Sequence, residues 1–182
     1  MSSASLDLAG PWTFDDLADL PGDGRRYEVV DGSLLVSPQP SDFHQAIARR
    51  LYLQLHKQAP PAWEVVYEVA FRVRTDGRVP DLAVVRSGVP VRPGEVAYRG
   101  ADFALLVEVV SANSTGMDRV LKPTEYAAAG VPFYWRVELE PTVHVVAHRL
   151  EGGAYAEVGR LEAGRGVLPG PWDVLVDVAA LA

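Results

Sequence analysis

The chain has 182 residues, no cysteine and a formal net charge of −7, with 48% hydrophobic and 23% charged residues. These values predict one globular domain over residues 1–182, and they exclude disulfide bonds, thiolate metal sites and a long disordered chain. The acidic balance argues against a wide electrostatic surface for nucleic acid but leaves room for a local basic groove.

The sequence also limits where the protein can be located and which metal it can bind. No apolar run reaches the roughly 18 residues that span a bilayer, and the segment "MSSASLDLAGPW" lacks the basic and apolar regions of a secretory signal. We therefore expect a cytoplasmic protein with no membrane segment. Without thiols, a metal would be bound by oxygen or imidazole ligands, which favours a hard ion such as magnesium.

The first predicted elements are a hairpin and a helix. In "RRYEVVDGSLLVS", apolar and polar residues alternate on both sides of Asp31-Gly32, which predicts a β-hairpin with strands near Arg26–Val30 and Ser33–Ser37. In "PSDFHQAIARRLYLQLHKQ", a capping residue at position 41 or 42 precedes an apolar residue at every fourth position from 43 to 55. This pattern predicts an amphipathic helix that ends before the proline pair at 60–61.

Most of the remaining chain predicts a sheet. Strands are expected in "WEVVYEVAFRVR", "RVPDLAVV" and "ADFALLVEVVS", followed by a second helix from about Met117 to Ala129 and by strands in "VPFYWRVEL", "TVHVVAHRLEG" and "AYAEVGRL". The last segment, "PWDVLVDVAALA", is expected to pack on the body of the domain. The predicted fold class is mixed α/β or α+β: an N-terminal hairpin, then a central mixed sheet flanked by two main helices.

Two acids interrupt the apolar strands of this sheet. Asp81 follows a proline at the start of "DLAVV", and Glu108 lies inside "LLVEVV". A buried ionised carboxylate costs several kcal/mol unless a metal, a cation or hydrogen bonds compensate it. The separation, 108 − 81 = 27 residues, allows both acids to meet at one edge of the sheet. An equally acceptable interpretation is that Asp81 caps a turn and Glu108 pairs with an arginine.

The second helix carries three further candidates. Asp118, Lys122 and Tyr126 are spaced at i, i+4 and i+8, so a continuous helix would present all three on one face, which can face Glu108. The alternative is a solvated ion pair between Asp118 and Lys122, which would contribute only a few tenths of a kcal/mol. Pro123 also allows a kink beside Lys122.

Together, "YEVVDG", "SDFHQAIARRL", "VPDLAVV", "LLVEVVSANS" and "DRVLKPTEYAAAGVPFYWRVE" closely resemble the Uma-two family of restriction endonucleases, a branch of the PD-(D/E)XK nuclease superfamily. The resemblance covers nearly the whole chain and implies a restriction-endonuclease-like core. By this analogy Asp81 and Glu108 are the two metal-binding acids, and the carbonyl of Val109 also faces the metal.

One position departs from the superfamily pattern. Val110 occupies the place of the lysine in the simple acid-x-Lys motif, and its apolar side chain cannot replace that lysine. The resemblance implies that Lys122, on the following helix, takes over this role. It also implies that Glu28, in the first hairpin, is a further acid of the site, although Glu28 could equally be an outward-facing strand residue.

The remaining candidates are weaker. His44 lies in the first turn of the first helix, where the family tends to place a histidine, and Ser111 could bind a ligand acid or end its strand. Asp118 and Tyr126 are further minor candidates. Phosphate contacts are expected from four arginines, namely Arg72, Arg74, Arg78 and Arg119.

The resemblance implies a Mg²⁺- or Mn²⁺-dependent endonuclease that hydrolyses phosphodiester bonds, with DNA as the favoured nucleic acid. A homodimer is expected as the commonest assembly of soluble proteins. The alternative is a nuclease-fold module that binds nucleic acid or protein without efficient chemistry, which the net charge, Val110 and Pro123 favour. A third interpretation, a small-molecule hydrolase, predicts an enclosed apolar pocket beside the acids.

Overall fold

The computed structural model describes residues 10–37, 39–90, 98–110 and 117–182, with the backbone alone at 117 and 118. It contains the helices α1 (Asp42–Gln58) and α2 (Lys122–Ala128), 3₁₀ turns at Phe14–Asp19 and Gly100–Asp102, and a π-helical turn at Met117–Leu121. The strands are β1 (Arg26–Val30), β2 (Ser33–Ser37), β3 (Trp63–Tyr67), β4 (Phe71–Val73), β5 (Asp76–Arg78), β6 (Leu82–Arg86), β7 (Phe103–Val110), β8 (Phe133–Glu138), β9 (His144–Glu151), β10 (Ala154–Leu161), β11 (Arg165–Leu168) and β12 (Val174–Asp177).

The main sheet has six strands in the order β10-β9-β8-β7-β6-β3. All its neighbours are antiparallel except β7 and β8, which are parallel, so the prediction of a central mixed sheet is confirmed. Every residue of β7 is buried. This explains the apolar run "FALLVEVV", because a central strand is covered on both faces and needs no polar alternation.

Helix α1 covers one face of this sheet. The hydroxyl of Ser41 caps the helix by accepting a hydrogen bond from the backbone N–H of His44, and Ile47, Leu51 and Leu55 are fully buried. Phe43, predicted to belong to the same stripe, is 48% exposed. An exact four-residue repeat advances about 40° around the helix per step, so the first member of the series rotates away from the core.

The second helix begins differently from the prediction. We expected one continuous helix from 117 to 129, but the segment opens with a π-helical turn and becomes α-helical only at Lys122. Pro123 is the second residue of α2, where the missing N–H removes no helical hydrogen bond. The wider turn before it relieves the clash that a proline ring makes with the carbonyl four residues earlier.

The segment predicted as one strand from Trp63 is in fact two. Strand β3 belongs to the main sheet, whereas β4 belongs to a second sheet in the order β2-β1-β5-β4. The chain turns at Glu68, whose φ of 43° lies in the left-handed region. "RVPDLAVV" is divided in the same way, into β5 and β6. Because of these breaks, β5 pairs with β1 of the N-terminal hairpin at Val29 and Gly77. The hairpin therefore lies near the start of β6, which follows β5 in the chain.

An ion pair with a fully buried arginine joins this second sheet to α2. Arg78 donates to both carboxylate oxygens of Glu125, at 2.7 and 2.5 Å, and to the carbonyl oxygen of Val29. It has no exposed surface, so the prediction that Arg78 contacts phosphate is wrong. This guanidinium therefore connects α2 to β1 and β5.

We expect Arg78→Met to lower the free energy of unfolding by about 3–5 kcal/mol, because it leaves the mostly buried Glu125 carboxylate without its counter-charge. Denaturant unfolding monitored by circular dichroism measures this loss. Arg160→Met is the matched control, since Arg160 pairs with Glu157 at the surface and such pairs contribute at most about 1 kcal/mol. Equal losses in the two variants would contradict the prediction.

Strand β12 of the C-terminal hairpin contacts α1, so the prediction that "PWDVLVDVAALA" packs on the body of the domain is confirmed. Gln54 of α1 binds the backbone of Asp177 twice, donating to its oxygen at 3.0 Å and accepting from its N–H at 2.8 Å. Gln58 makes the same pair of bonds with Leu175. Helix α1 is therefore held both by the main sheet and by the C-terminal hairpin.

Candidate active site

The strand register places the two predicted acids at the same end of two neighbouring strands. Leu82 of β6 pairs with Val107 of antiparallel β7, and Asp81 and Glu108 are the residues that directly adjoin this pair at the same end. The backbone N–H of Val109 donates to Oδ2 of Asp81 at 2.7 Å. The structure thus brings together two acids that lie 27 positions apart in the sequence.

Two side chains, those of Arg26 and His44, contact the Asp81 carboxylate. Nη2 of Arg26 lies 2.8 Å from Oδ1, and Nε2 of His44 lies 3.2 Å from Oδ2. Burial by itself would raise the pKa of Asp81, but the hydrogen bond from His44, the charge of Arg26 and the N–H of Val109 together lower the pKa to about 2. Asp81 is therefore ionised throughout the neutral range although only 3% of it is exposed.

This pKa predicts how stability depends on acid pH. The folded pKa lies below the ordinary value of 3.8, so ionised Asp81 stabilises the fold above about pH 4 and loses that contribution as the pH falls towards 2. Between about pH 5 and pH 2, we expect the free energy of unfolding of the wild type to fall by roughly 2 kcal/mol more than that of Asp81→Asn. Urea unfolding at each pH measures the difference, and parallel curves for the two proteins would contradict it.

Helix α2 supplies the partners of Glu108. The Tyr126 hydroxyl donates to Oε1 at 2.7 Å, and Nζ of Lys122 lies 3.0 Å from Oε2. Burial and the charge of Glu108 raise the pKa of Tyr126 well above its usual value, so the hydroxyl keeps its proton and remains a donor. Lys122 and Tyr126 thus share one face, as their spacing predicted, and that face looks onto β7.

Glu28 completes the cluster from β1. Its Oε1 accepts a hydrogen bond from the N–H of Val79 at 2.9 Å and lies 4.0 Å from Nζ of Lys122. Glu28 is 3% exposed, so the interpretation of an outward-facing strand residue is wrong. We refer to Glu28, Asp81 and Glu108 as the acidic cluster. Lys122 lies between two of its members.

A cleft of about 600 Å³ opens beside Asp81, between α1 and the ends of β3 and β6. His44 and Asp81 form part of its wall, and Tyr67, Glu68 and Arg49 form another part. The small-molecule hydrolase interpretation predicted an enclosed apolar pocket at this place. Four charged residues, Asp42, Arg49, Glu68 and Asp81, line the cleft instead, which does not match that prediction.

The minor candidates divide into three groups. His44 contacts Asp81, and Tyr126 contacts Glu108, so the structure places both in the site. Ser111 lies outside the described residues. The backbone of Asp118 lies in the π-helical turn, but its side chain is outside what the structure describes.

Of the other predicted phosphate-binding arginines, two pair with acids outside the acidic cluster and the third lies in a turn. Arg72 pairs with Asp15 and lies over the ring of Phe14, while Arg119 pairs with Glu138. Arg74 has a φ of 58° in the turn between β4 and β5, outside the cluster. None of the three contacts an acid of the cluster.

Sequence reasoning missed Arg26, although this residue contacts the cluster directly. It bridges Asp81 and Glu68, at 2.8 and 2.6 Å, and the two carboxylates raise the pKa of Arg26 against the opposing effect of burial. One signal was present: Arg26 and Glu28 are two residues apart in β1, and alternate residues of a strand share a face.

The donor chemistry of the cluster fits a hard divalent cation, because it consists of buried carboxylates whose charge needs compensation. In the structure Arg26 and Lys122 provide that compensation. Within the described residues, no group of three or more His, Asp or Glu side chains is arranged closely enough to hold a metal.

A model of the Uma2 family, described as "Putative restriction endonuclease", matches residues 14–171, which is most of the chain. The chain belongs to the Uma2 family. The resemblance inferred from the sequence motifs is therefore confirmed, and the description of the Uma2 family supports a nuclease. No curated protein matched the chain.

A solved structure supports the same fold. A "putative nuclease belonging to DUF820 from Anabaena variabilis ATCC 29413" matches with a TM-score of 0.73 at 17% sequence identity, over 94% of this chain and 97% of that chain. At this identity the match shows the fold alone, and it confirms the predicted nuclease-type architecture around a mixed sheet.

Among the helices that the structure describes, none is long and apolar enough to cross a membrane.

Proposed function

We propose that this Uma2 protein is a metal-dependent endonuclease that hydrolyses phosphodiester bonds of nucleic acid, with DNA as the favoured substrate. The observation that supports it most is the placement of Glu108. This buried carboxylate lies at the same end of the sheet as Asp81 and is held by Tyr126 and Lys122, so acids and a lysine from three elements meet there.

Asp81 and Glu108, with Glu28, are the residues that would hold Mg²⁺ or Mn²⁺. The N–H of Val109 points towards Asp81, and the N–H and C=O of one residue in an extended strand point to the same neighbour. The Val109 carbonyl is thus a further oxygen directed to this place. A bound divalent ion supplies polarisation of the scissile phosphate and a lowered pKa for an attacking water.

The surrounding residues supply orientation and charge. Lys122 is a compact cation with three donors, suited to orient a water or to stabilise negative charge that grows on the phosphate oxygens. Tyr126 holds one oxygen of Glu108, and His44 and Arg26 hold the two oxygens of Asp81. Both carboxylates are therefore positioned before substrate arrives, which avoids reorganisation during the reaction.

One observation favours the second candidate, a nuclease-fold binding module without efficient chemistry. The guanidinium of Arg26 already contacts Asp81, so a metal would have to compete with a resident cation. This candidate predicts nucleic-acid binding without cleavage at any concentration of Mg²⁺ or Mn²⁺. The cytoplasmic location, the single domain and the homodimer stay predictions under both candidates.

The deciding experiment incubates the purified protein with plasmid, single-stranded DNA and RNA in Mg²⁺, Mn²⁺ or EDTA. We expect cleavage that requires the metal and disappears in Asp81→Ala and Glu108→Ala. Cleavage that persists unchanged in both variants would reveal a contaminant and refute the enzyme. Crystals soaked in Mn²⁺ test the ligands directly, and density at any place other than the acidic cluster would refute their assignment.

A further inference from the structure

Three stacked aromatic rings connect α1 to the cleft beside Asp81. The rings of Tyr52 and Tyr67 have centroids 4.4 Å apart at an interplanar angle of 23°, and Tyr52 also stacks on His56 at 5.4 Å and 8°. Tyr67 stands at the cleft end of the stack and lines the cleft. It retains 42% of its surface exposed, so the cleft presents an aromatic ring that protein atoms cover only in part.

This ring shares the cleft with one acid of the acidic cluster, Asp81. Tyr67 of β3 pairs with Leu82 of β6, and the N–H of Glu68 donates to the backbone oxygen of Asp81 at 3.3 Å. Tyr67, His44 and Asp81 line the same cleft. A planar group stacked on Tyr67 would therefore share the cleft with Asp81.

A basic residue accompanies the aromatic one. Arg49 lines the cleft, and its charge is near enough to Tyr67 to oppose the effects of burial and of Tyr52, which raise the pKa of the phenol. On α1, Gln45, Arg49, Tyr52 and His56 are spaced at i, i+4, i+7 and i+11, so they share one face of the helix. Basic and aromatic residues combined in this way are what single-stranded nucleic acid requires, since aromatic rings stack on bases and cations contact the backbone.

The size of the cleft suits one nucleotide. Its volume of about 600 Å³ lies in the range of roughly 300–1,000 Å³ that takes one small ligand. In a duplex, moreover, the faces of the bases are already stacked on their neighbours, so a base must leave the helix to meet an aromatic ring.

We propose that this cleft is a base-stacking subsite in which Tyr67 receives an unpaired base and Arg49 contacts the adjoining phosphate, so that the substrate is a single-stranded or locally unpaired nucleic acid. The inference rests on the proposed nuclease function and narrows its substrate. Asp42 and Glu68 also line the cleft, which limits the electrostatic attraction for a long strand and leaves stacking as the main source of affinity.

The test measures binding of dye-labelled oligothymidine, oligouridine and a duplex of the same length by fluorescence anisotropy, in Ca²⁺ to prevent cleavage. We expect Tyr67→Ala and Tyr67→Leu to weaken single-strand binding roughly 5- to 150-fold, the loss of one stacked base. Tyr67→Phe should restore it. Phe43→Ala is the matched control, because Phe43 is an exposed aromatic residue of α1 that does not line the cleft.

An oligonucleotide containing 2-aminopurine gives a second readout, since stacking on Tyr67 quenches its fluorescence. Quenching by the wild type and Tyr67→Phe but not by Tyr67→Leu supports the subsite. Full affinity in Tyr67→Leu, or a duplex bound as tightly as the single strand, overturns it even if the protein proves to be a nuclease. Single-strand binding that depends on Tyr67 without cleavage in any metal supports the subsite and refutes the nuclease instead.

Discussion

Asp81→Asn and Glu108→Gln are each expected to lower kcat/KM for phosphodiester cleavage about a thousandfold, because either change removes a charge that would hold the divalent ion, and that ion supplies several kcal/mol of transition-state stabilisation. Each variant keeps the size of the side chain, so the hydrogen bonds from Val109 and Tyr126 still have an oxygen to reach. Single-turnover cleavage at saturating Mn²⁺ measures the loss.

Glu138→Gln is the matched control for these two variants. Glu138 is also a buried acid of the main sheet, at 4% exposure, but its partners are Arg119 and Arg136 and it lies outside the acidic cluster. We expect Glu138→Gln to reduce stability and to leave the rate per folded molecule unchanged. If all three variants lose the same activity in proportion to the folded fraction, the acids are structural and the metal assignment is wrong.

Lys122→Met is expected to lower kcat by about 10²–10³-fold, the usual effect of removing one donor that stabilises transition-state charge. Methionine fills the buried space without a charge. Lys122→Arg should not restore the rate, because a planar guanidinium cannot replace a compact ammonium group 3.0 Å from Glu108. Rapid-quench kinetics with saturating substrate measures kcat apart from binding.

A separate readout distinguishes this role from a structural one. Since Lys122 now compensates the charge of Glu108, its removal should tighten Mn²⁺ binding, measured by electron paramagnetic resonance, while catalysis falls. Lys57→Met provides the control, because Lys57 is the other lysine of the chain and lies in the exposed last turn of α1. Weaker Mn²⁺ binding in Lys122→Met, or a normal kcat, would exclude the proposed role.

Arg26 links the two candidate functions. Its guanidinium bridges Asp81 and the exposed carboxylate of Glu68, so Asp81 is compensated without a metal. In an active enzyme this arginine stabilises the fold before the metal binds, whereas in a binding module it is a permanent replacement for the metal. Mn²⁺ binding to the wild-type protein therefore separates the two candidates even before activity is measured.

The sequence by itself determined the local elements. The turn at Asp31-Gly32 has positive φ at both positions, as a two-residue hairpin requires, and α1 begins at the predicted cap and ends before the predicted prolines. The burial of β7 and the shared face of Lys122 and Tyr126 also followed from the sequence. These features depend on residues within a few positions of one another, so the repeat of a strand or helix is enough to predict them.

Only the tertiary structure determined which residues compensate the charges of the acidic cluster and which residues line the cleft. The contact between Arg26 and Asp81 joins residues 55 positions apart, and the stack of Tyr52 on Tyr67 joins a helix to an edge strand. The burial of Arg78 depends on the same kind of distant pairing. The repeat of a single strand or helix does not predict these contacts. They depend on the strand register and on the breaks at residues 68 and 80, which determine which distant residues come together.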